Sequence, residues 1–187
     1  MFIVPVDADI SLELLEEQHA GELFALVDAN RDYLRRWLPW LDQNTEVEHT
    51  RSFIRSGLER FAAWDGFTCG LRHKGALAGV VGLHRVDWPS RRTSLGYWLA
   101  EAHQGKGLMT RACAALLDRA FGEMGLNRVE LHCAVENRRS CAIPERLGFT
   151  REGVLRSHEW LYDHFVDMVA YAMLAGDWSR LRPGGPG

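Results

Sequence analysis

The seven residues Gln104-Gly105-Lys106-Gly107-Leu108-Met109-Thr110 join two glycines and a cation to the opening of an apolar repeat of helical period. The first N–H groups of a helix have no intrahelical partner, and the macrodipole adds positive partial charge to them. Glycines let an anion approach such a backbone closely, so the stretch has the makings of a phosphate cradle. Its plainer reading is a turn that starts a helix. Spacing excludes two known phosphate binders: G-x-x-x-x-G-K-[ST] is absent, and G-x-G-x-x-G fails at Thr110.

A second stretch, N-R-R-S-C-A-I-P-E-R-L-G-F from Asn137 to Phe149, reads as a short helix with a glycine stop, yet Pro144 sits within it. An interior proline removes the bond to the carbonyl four residues back and costs about 3 kcal/mol. The orphaned carbonyl belongs to Ser140. The contradiction resolves if Asn137 to Ser140 form an entry turn and the helix starts near Cys141, which brings Pro144 to the first turn. The Ser140 carbonyl should then take a non-helical partner or face water.

The elements that must position these residues follow from hydrophobic period. Residues 10–16 alternate as a strand, and Ala20, Leu23, Phe24 and Val27 then fall at helical spacing. A second helix is expected after Asn30. Thr45 and Glu48 have the spacing of a capping box before a helix with Phe53, Ile54, Leu58 and Phe61 on one face. Strand patterns around 67–71, 77–83 and 95–99 predict an antiparallel meander with a Lys74-Gly75 turn. Met109, Cys113, Leu116, Leu117, Ala120, Phe121 and Met124 then make the most regular helical stripe in the chain, with Gly125 as its stop. Val129, Leu131, Cys133 and Val135 alternate as a strand, and two more strands are expected at 153–162 and 165–174.

Length and composition set the frame. A chain of 187 residues, 47% hydrophobic and 25% charged, suits one domain, residues 1–187, with a flexible tail at 181–187. A net charge of -3 gives no general attraction to nucleic acid. Four cysteines without metal or redox spacing read as reduced core residues, and no metal site is expected. No apolar run approaches the length of a membrane span and no signal pattern opens the chain, so a cytoplasmic protein without membrane contact is expected.

The context G-Y-W-L-A-E-A-H-Q-G-K-G-L-M-T, with N-x-x-S followed by L-G-F and E-G, resembles the GNAT N-acetyltransferase superfamily and its ribosomal-protein N-terminal acetyltransferase branch. The resemblance covers essentially the whole chain and includes Trp37-Leu38-Pro39-Trp40. Met109 departs from it, since the general loop pattern has a small residue there. The resemblance implies an α/β (α+β) fold: a single twisted mixed sheet of about seven strands with flanking helices, the meander in its N-terminal half, and a splay between the fourth and fifth strands. It also implies acetyl-CoA as cofactor, with pantetheine in the splay near Leu99 and the pyrophosphate on Gln104, Gly105, Lys106, Gly107, Leu108, Met109 and Thr110. Asn137 would touch the cofactor arm, or cap the helix that follows.

Acetyl transfer to an amine needs a neutral amine, donors for developing negative charge and a proton for the thiolate. The strand T-S-L-G-Y-W-L-A carries no carboxylate. The resemblance therefore implies Glu159 as base, with His84 and His158 as alternatives. No tyrosine occupies the helix after Asn137, and the resemblance implies Ser140 as the acid; its rival role is local capping. Trp37, Trp40 and His84 are candidates for acceptor contact. The expected acceptor is the N-terminal α-amine of a protein such as a ribosomal protein, and a homodimer is a family-level expectation. The rivals are a small amine (antibiotic, polyamine or amino acid) as acceptor, or an acyl-CoA-binding domain without catalysis.

Overall fold

The computed structural model describes residues 3–182. One eight-stranded sheet organises them, in the order β1-β2-β3-β4-β5-β6-β8-β7. Its strands are β1 (Ile3–Pro5), β2 (Ile10–Leu14), β3 (Phe67–His73), β4 (Ala76–Leu83), β5 (Arg92–Leu99), β6 (Arg128–Ala134), β7 (Thr150–Leu161) and β8 (His164–Leu174). All neighbours run antiparallel except β5 and β6. The expected meander is β3 to β5. A short first strand, Ile3–Pro5, raises the count above the seven expected and moves the splay to the fifth and sixth strands. Three residues are too few for a periodic signal.

The helices lie on both faces. On one side are α1 (Ala20–Ala29), α2 (Arg31–Leu34) and α3 (Val47–Ala62); on the other are α4 (Leu108–Phe121), α5 (Arg138–Leu147) and α6 (Ala175–Leu181). Met109, Cys113, Leu116, Leu117 and Ala120 of α4 are buried against β-strand residues such as Leu12, Val81 and Val129. Burial of each of the larger ones, Met109, Leu116 and Leu117, stabilises by about 1.5–3 kcal/mol. Ala20, Leu23, Val27 and Ile54 close the opposite face over Leu77 and Val80. All four cysteines are buried and free.

Several local expectations need correction. Helix α3 starts at Val47 with Glu46 as its N-cap, and Thr45 does not form the capping box. Its hydroxyl and N–H face His49 Nδ1 instead, at 3.4 and 3.3 Å, while Glu48 bonds Arg51. Phe53 is exposed, and Thr50, Ile54 and Gly57 form the buried face. At the C-terminus Leu181 closes α6 and Arg182 bonds Asp118 at 2.6 Å, so these two residues are not a tail; residues 183–187 lie outside the described residues.

The first layer of helices is tied to the sheet by charge as well as by packing. Arg72 on β3 donates from Nε to Glu13 of β2 at 2.6 Å and from both Nη atoms to Glu22 of α1 at 2.6 and 2.9 Å. Glu13 is buried, and removing Arg72 leaves its charge with only His19 Nε2, at 3.5 Å, beside it. Arg72→Ala is expected to lower unfolding free energy by about 3 kcal/mol in chemical denaturation. The Arg72 hydrogen bond holds the Glu22 carboxyl below its ordinary 4.5. Its contribution is therefore complete above the unfolded value and is lost as pH falls through the lower folded value. Acid titration of stability in the parent and the variant checks this: the variant should show the smaller loss.

Candidate active site

Parallel strands β5 and β6 pair only through Arg92↔Arg128, Thr93↔Val129 and Ser94↔Glu130. Beyond that point β5 follows β4 to the pair Gly79↔Leu99, while β6 follows β8 to Ala134↔Met168. The inner edges part, and a cavity of about 950 Å³ opens between β5, α5 and the start of α4. Backbone groups along the free inner edge of β5, up to Leu99, can pair with an extended amide-bearing chain as another strand would.

The glycine turn forms one end of this cavity. Gly105 and Gly107 line the cavity with φ of +74° and +68°, and a Cβ on either would meet nothing within 4 Å. Gly107 is the N-cap of α4, and no side chain caps that helix. The N–H groups of its first turn, at Leu108, Met109 and Thr110, thus face a cavity that these residues line. Arg139 reaches over from α5 to donate to Gln104 Oε1 at 2.6 Å; Arg146 of α5 and Arg111 of α4 also line the cavity, Arg111 while bonded to Asp7 at 2.8 Å. Uncapped donors and guanidinium groups fit a diphosphate. Lys106 is turned back, with Nζ bonded to the Ala102 carbonyl at 3.0 Å, and it does not line the cavity.

Helix α5 forms the facing wall. It begins at Arg138, not near Cys141, because the Asn137 side chain caps it by accepting from the Ser140 N–H at 3.2 Å. Pro144 is therefore an interior proline after all. The Ser140 carbonyl it leaves free does take a non-helical partner, the Tyr97 hydroxyl of β5, which donates at 3.0 Å. The Ser140 hydroxyl lies 3.2 Å from Tyr97 Oη and 3.1 Å from Cys133 Sγ of β6. Burial pushes the Tyr97 phenol well above its usual range and the Cys133 thiol up to about 12, so both keep their protons. A neutral hydroxyl group is thus held where the strands part, and it can donate to an anion there. Asn137 lines the cavity as well as capping the helix. Sequence reasoning looked for a tyrosine in α5 and missed Tyr97; strand alternation that puts Leu95, Tyr97 and Leu99 on one face is the signal that would have found it.

Glu159 and His84 lie on the other face of the sheet. Glu159 is opposite Val166, and alternation along β8 carries that face through Ala170 to His132 of β6. Ser94 and Trp98 belong to the same face, by the pairing Ser94↔Glu130. Glu159 is half-buried, does not line the cavity, and has its carboxyl pushed above 4.5 by burial. His158 packs edge-on against His132 with centroids 5.5 Å apart. The His84 ring covers Gly96, where a Cβ would approach it to 2.5 Å, and its Nδ1 is 2.9 Å from Ser94 Oγ. Burial lowers the pKa of His84. Trp37 lines the cavity; Trp40 lies outside it and lines a second pocket of about 420 Å³ that shares Trp98 with the first.

Residues 9–150 match the model of the acetyltransferase (GNAT) domain. The chain is 36% identical over 179 residues to the putative ribosomal N-acetyltransferase YdaF of Bacillus subtilis, covering 95% of this chain and 98% of that protein. It is 28% identical over 171 residues to the ribosomal-protein-serine acetyltransferase of Escherichia coli, covering 91% and 96%. Among solved structures, RimL, a ribosomal L7/L12 α-N-protein acetyltransferase in complex with coenzyme A, superposes with a TM-score of 0.91 at 27% identity, covering 95% of this chain and 99% of that one. The splayed strands, the uncapped glycine turn and a family match over most of the length converge: the chain belongs to the GNAT acetyltransferase family and is an acetyl-CoA-dependent acyltransferase.

Proposed function

We propose that the enzyme acetylates the N-terminal α-amine of a protein, a ribosomal protein being the favoured substrate, in the cytoplasm. The whole-length similarity to a ribosomal-protein-serine acetyltransferase supports this class. The observation that carries the chemistry is the Ser140 hydroxyl held where β5 and β6 part; the half-buried carboxyl of Glu159 belongs to the opposite face of the sheet, on β7, with β8 and β6 between it and the gap.

Bound acetyl-CoA supplies an activated acetyl group and a thiolate leaving group. In this reading the first-turn N–H groups of α4 and the turn from Gln104 hold its pyrophosphate, the free edge of β5 near Leu99 pairs with its pantetheine amides, and Asn137 contacts the arm. Glu159 accepts the amine proton, and the Ser140 hydroxyl donates a hydrogen bond to the departing sulfur. A thiolate near pKa 8.5 is a tolerable anion, so a weak donor suffices. The base is also modest, because β5 carries no carboxylate. That favours an α-amine, about a tenth neutral at pH 7, over a lysine amine, neutral in about one molecule in two thousand. Trp37, on the α2 side of the cavity, suits contact with a flexible peptide end.

Thiol release from acetyl-CoA with a panel of peptides bearing free serine or alanine N-termini, against spermidine and free amino acids, is the direct test. Turnover confined to the small amines would overturn the protein acceptor. Glu159→Gln is expected to lower kcat/KM about a hundredfold. Because burial raises the Glu159 pKa, the parent rate should climb with pH through a value above 4.5, and the variant should lose that limb of the profile. Ser140→Ala should lower kcat about tenfold with little change in acetyl-CoA binding. Gly107→Val forces a β-branched residue to a φ of +68°, and titration calorimetry should show acetyl-CoA binding weakened by about tenfold.

A further inference from the structure

Pro144 and Tyr97 are a matched pair. The proline removes the N–H that would have bonded the Ser140 carbonyl, and Tyr97, 43 residues away on the opposite wall of the cavity, supplies a donor at 3.0 Å. A phenol has one proton, and burial keeps it in place. With that proton given to the carbonyl, Tyr97 Oη can only accept from the Ser140 hydroxyl, which lies 3.2 Å away. One side chain therefore engages both oxygens of Ser140. Among the described residues the hydroxyl has one other acceptor, Cys133 Sγ at 3.1 Å, so its rotor is confined to the region where β5 and β6 part.

We propose that Tyr97 is a positioning residue for acyl transfer: at rest it bonds both oxygens of Ser140 and holds the hydroxyl at the cavity wall, from which the one Ser140 proton turns from Tyr97 Oη to the leaving sulfur, and it spans the gap between β5 and α5. This rests on the acetyl-transfer reading and on Ser140 as donor to the leaving sulfur. A regular helix would bind the Ser140 carbonyl internally and leave no main-chain acceptor for the strand to reach. The interior proline exposes that acceptor, and the tyrosine uses it to join the two walls.

The rest of α5 is secured independently. Asn137 caps its start, Gly148 ends it in the left-handed region, and Tyr171 donates to Glu145 at 3.0 Å. Loss of one hydroxyl at Tyr97 therefore leaves the helix in place, and Phe fills the same volume.

The test compares the parent, Tyr97→Phe, and Tyr97→Phe combined with Pro144→Ala, using acetyl-CoA and a hexapeptide with a free N-terminal serine. Tyr97→Phe should lower kcat by about tenfold, with KM for acetyl-CoA within about twofold of the parent. Adding Pro144→Ala returns an N–H to position 144, so the Ser140 carbonyl regains a helical partner. Melting temperature should then recover while kcat stays low, because the hydroxyl still lacks its acceptor. A Tyr97→Phe enzyme with parental kcat overturns the inference, as does a double variant in which kcat recovers together with melting temperature. A parent inactive on the peptide and on every other amine overturns the acetyl-transfer reading and this inference with it; an active parent with an unaffected variant overturns the inference alone.

Discussion

A parallel pair of strands that starts to form and then stops is the constraint on which the rest of this molecule depends. Buried backbone groups must be paired, so two neighbouring strands in the middle of a sheet cannot part without something to occupy the edges they expose. Here β5 and β6 share hydrogen bonds over Arg92–Ser94 and Arg128–Glu130, and each then follows its own antiparallel neighbour. The sheet is in effect two halves hinged at one end. Helix α4 lies under both halves, packed against β2, β4, β5 and β6, and it holds them together while its N-terminus points into the opening.

The opening determines where chemistry can occur. A chain laid between the strands is reached from both faces of the sheet, and the two faces differ. On the α5 side stand neutral hydroxyls and a buried thiol: Ser140, Tyr97 and Cys133. The other side carries titratable groups, Glu159, His132 and His158, on a face that α1 and α3 leave largely uncovered in the C-terminal half. In the proposed reaction the amine approaches from the ionisable face and the sulfur departs toward the neutral one. That division suits a reaction in which one group must lose a proton and another must be met by a donor.

Charge follows the same geometry at the outer end of the cavity. Arg139 and Arg146 of α5 and Arg111 of α4, the last paired with Asp7 at 2.8 Å, line the cavity that the uncapped helix start faces, although the whole chain carries a net charge of -3. Overall charge and local charge are separate quantities, and the local one matters to a ligand with a diphosphate. Lys106, the cation within the glycine turn, spends its ammonium on the Ala102 carbonyl and stabilises the turn itself.

The sequence alone determined the meander, the long helix α4, the glycine turn at its start, and the order in which strand and helix follow one another, because each is written in local periodicity or in residues with special backbone requirements. It singled out Gln104, Gly105, Gly107 to Thr110 and Asn137, which line one cavity, since both stretches begin helices and helix starts are locally encoded; Lys106, singled out with them, turns away from it. It misjudged Thr45, whose capping spacing was overridden by His49, and the start of α5, where Asn137 proved a stronger signal than Pro144. Tertiary structure alone decided which strand would stand opposite Ser140. The bond from Tyr97 joins residues 43 positions apart, and no periodicity or spacing encodes a contact made by two walls that meet only after the sheet has assembled. The same holds for Glu159, whose face and relation to the opening depend on the register of β7 on β8 and on the bulge between Leu155 and Glu159.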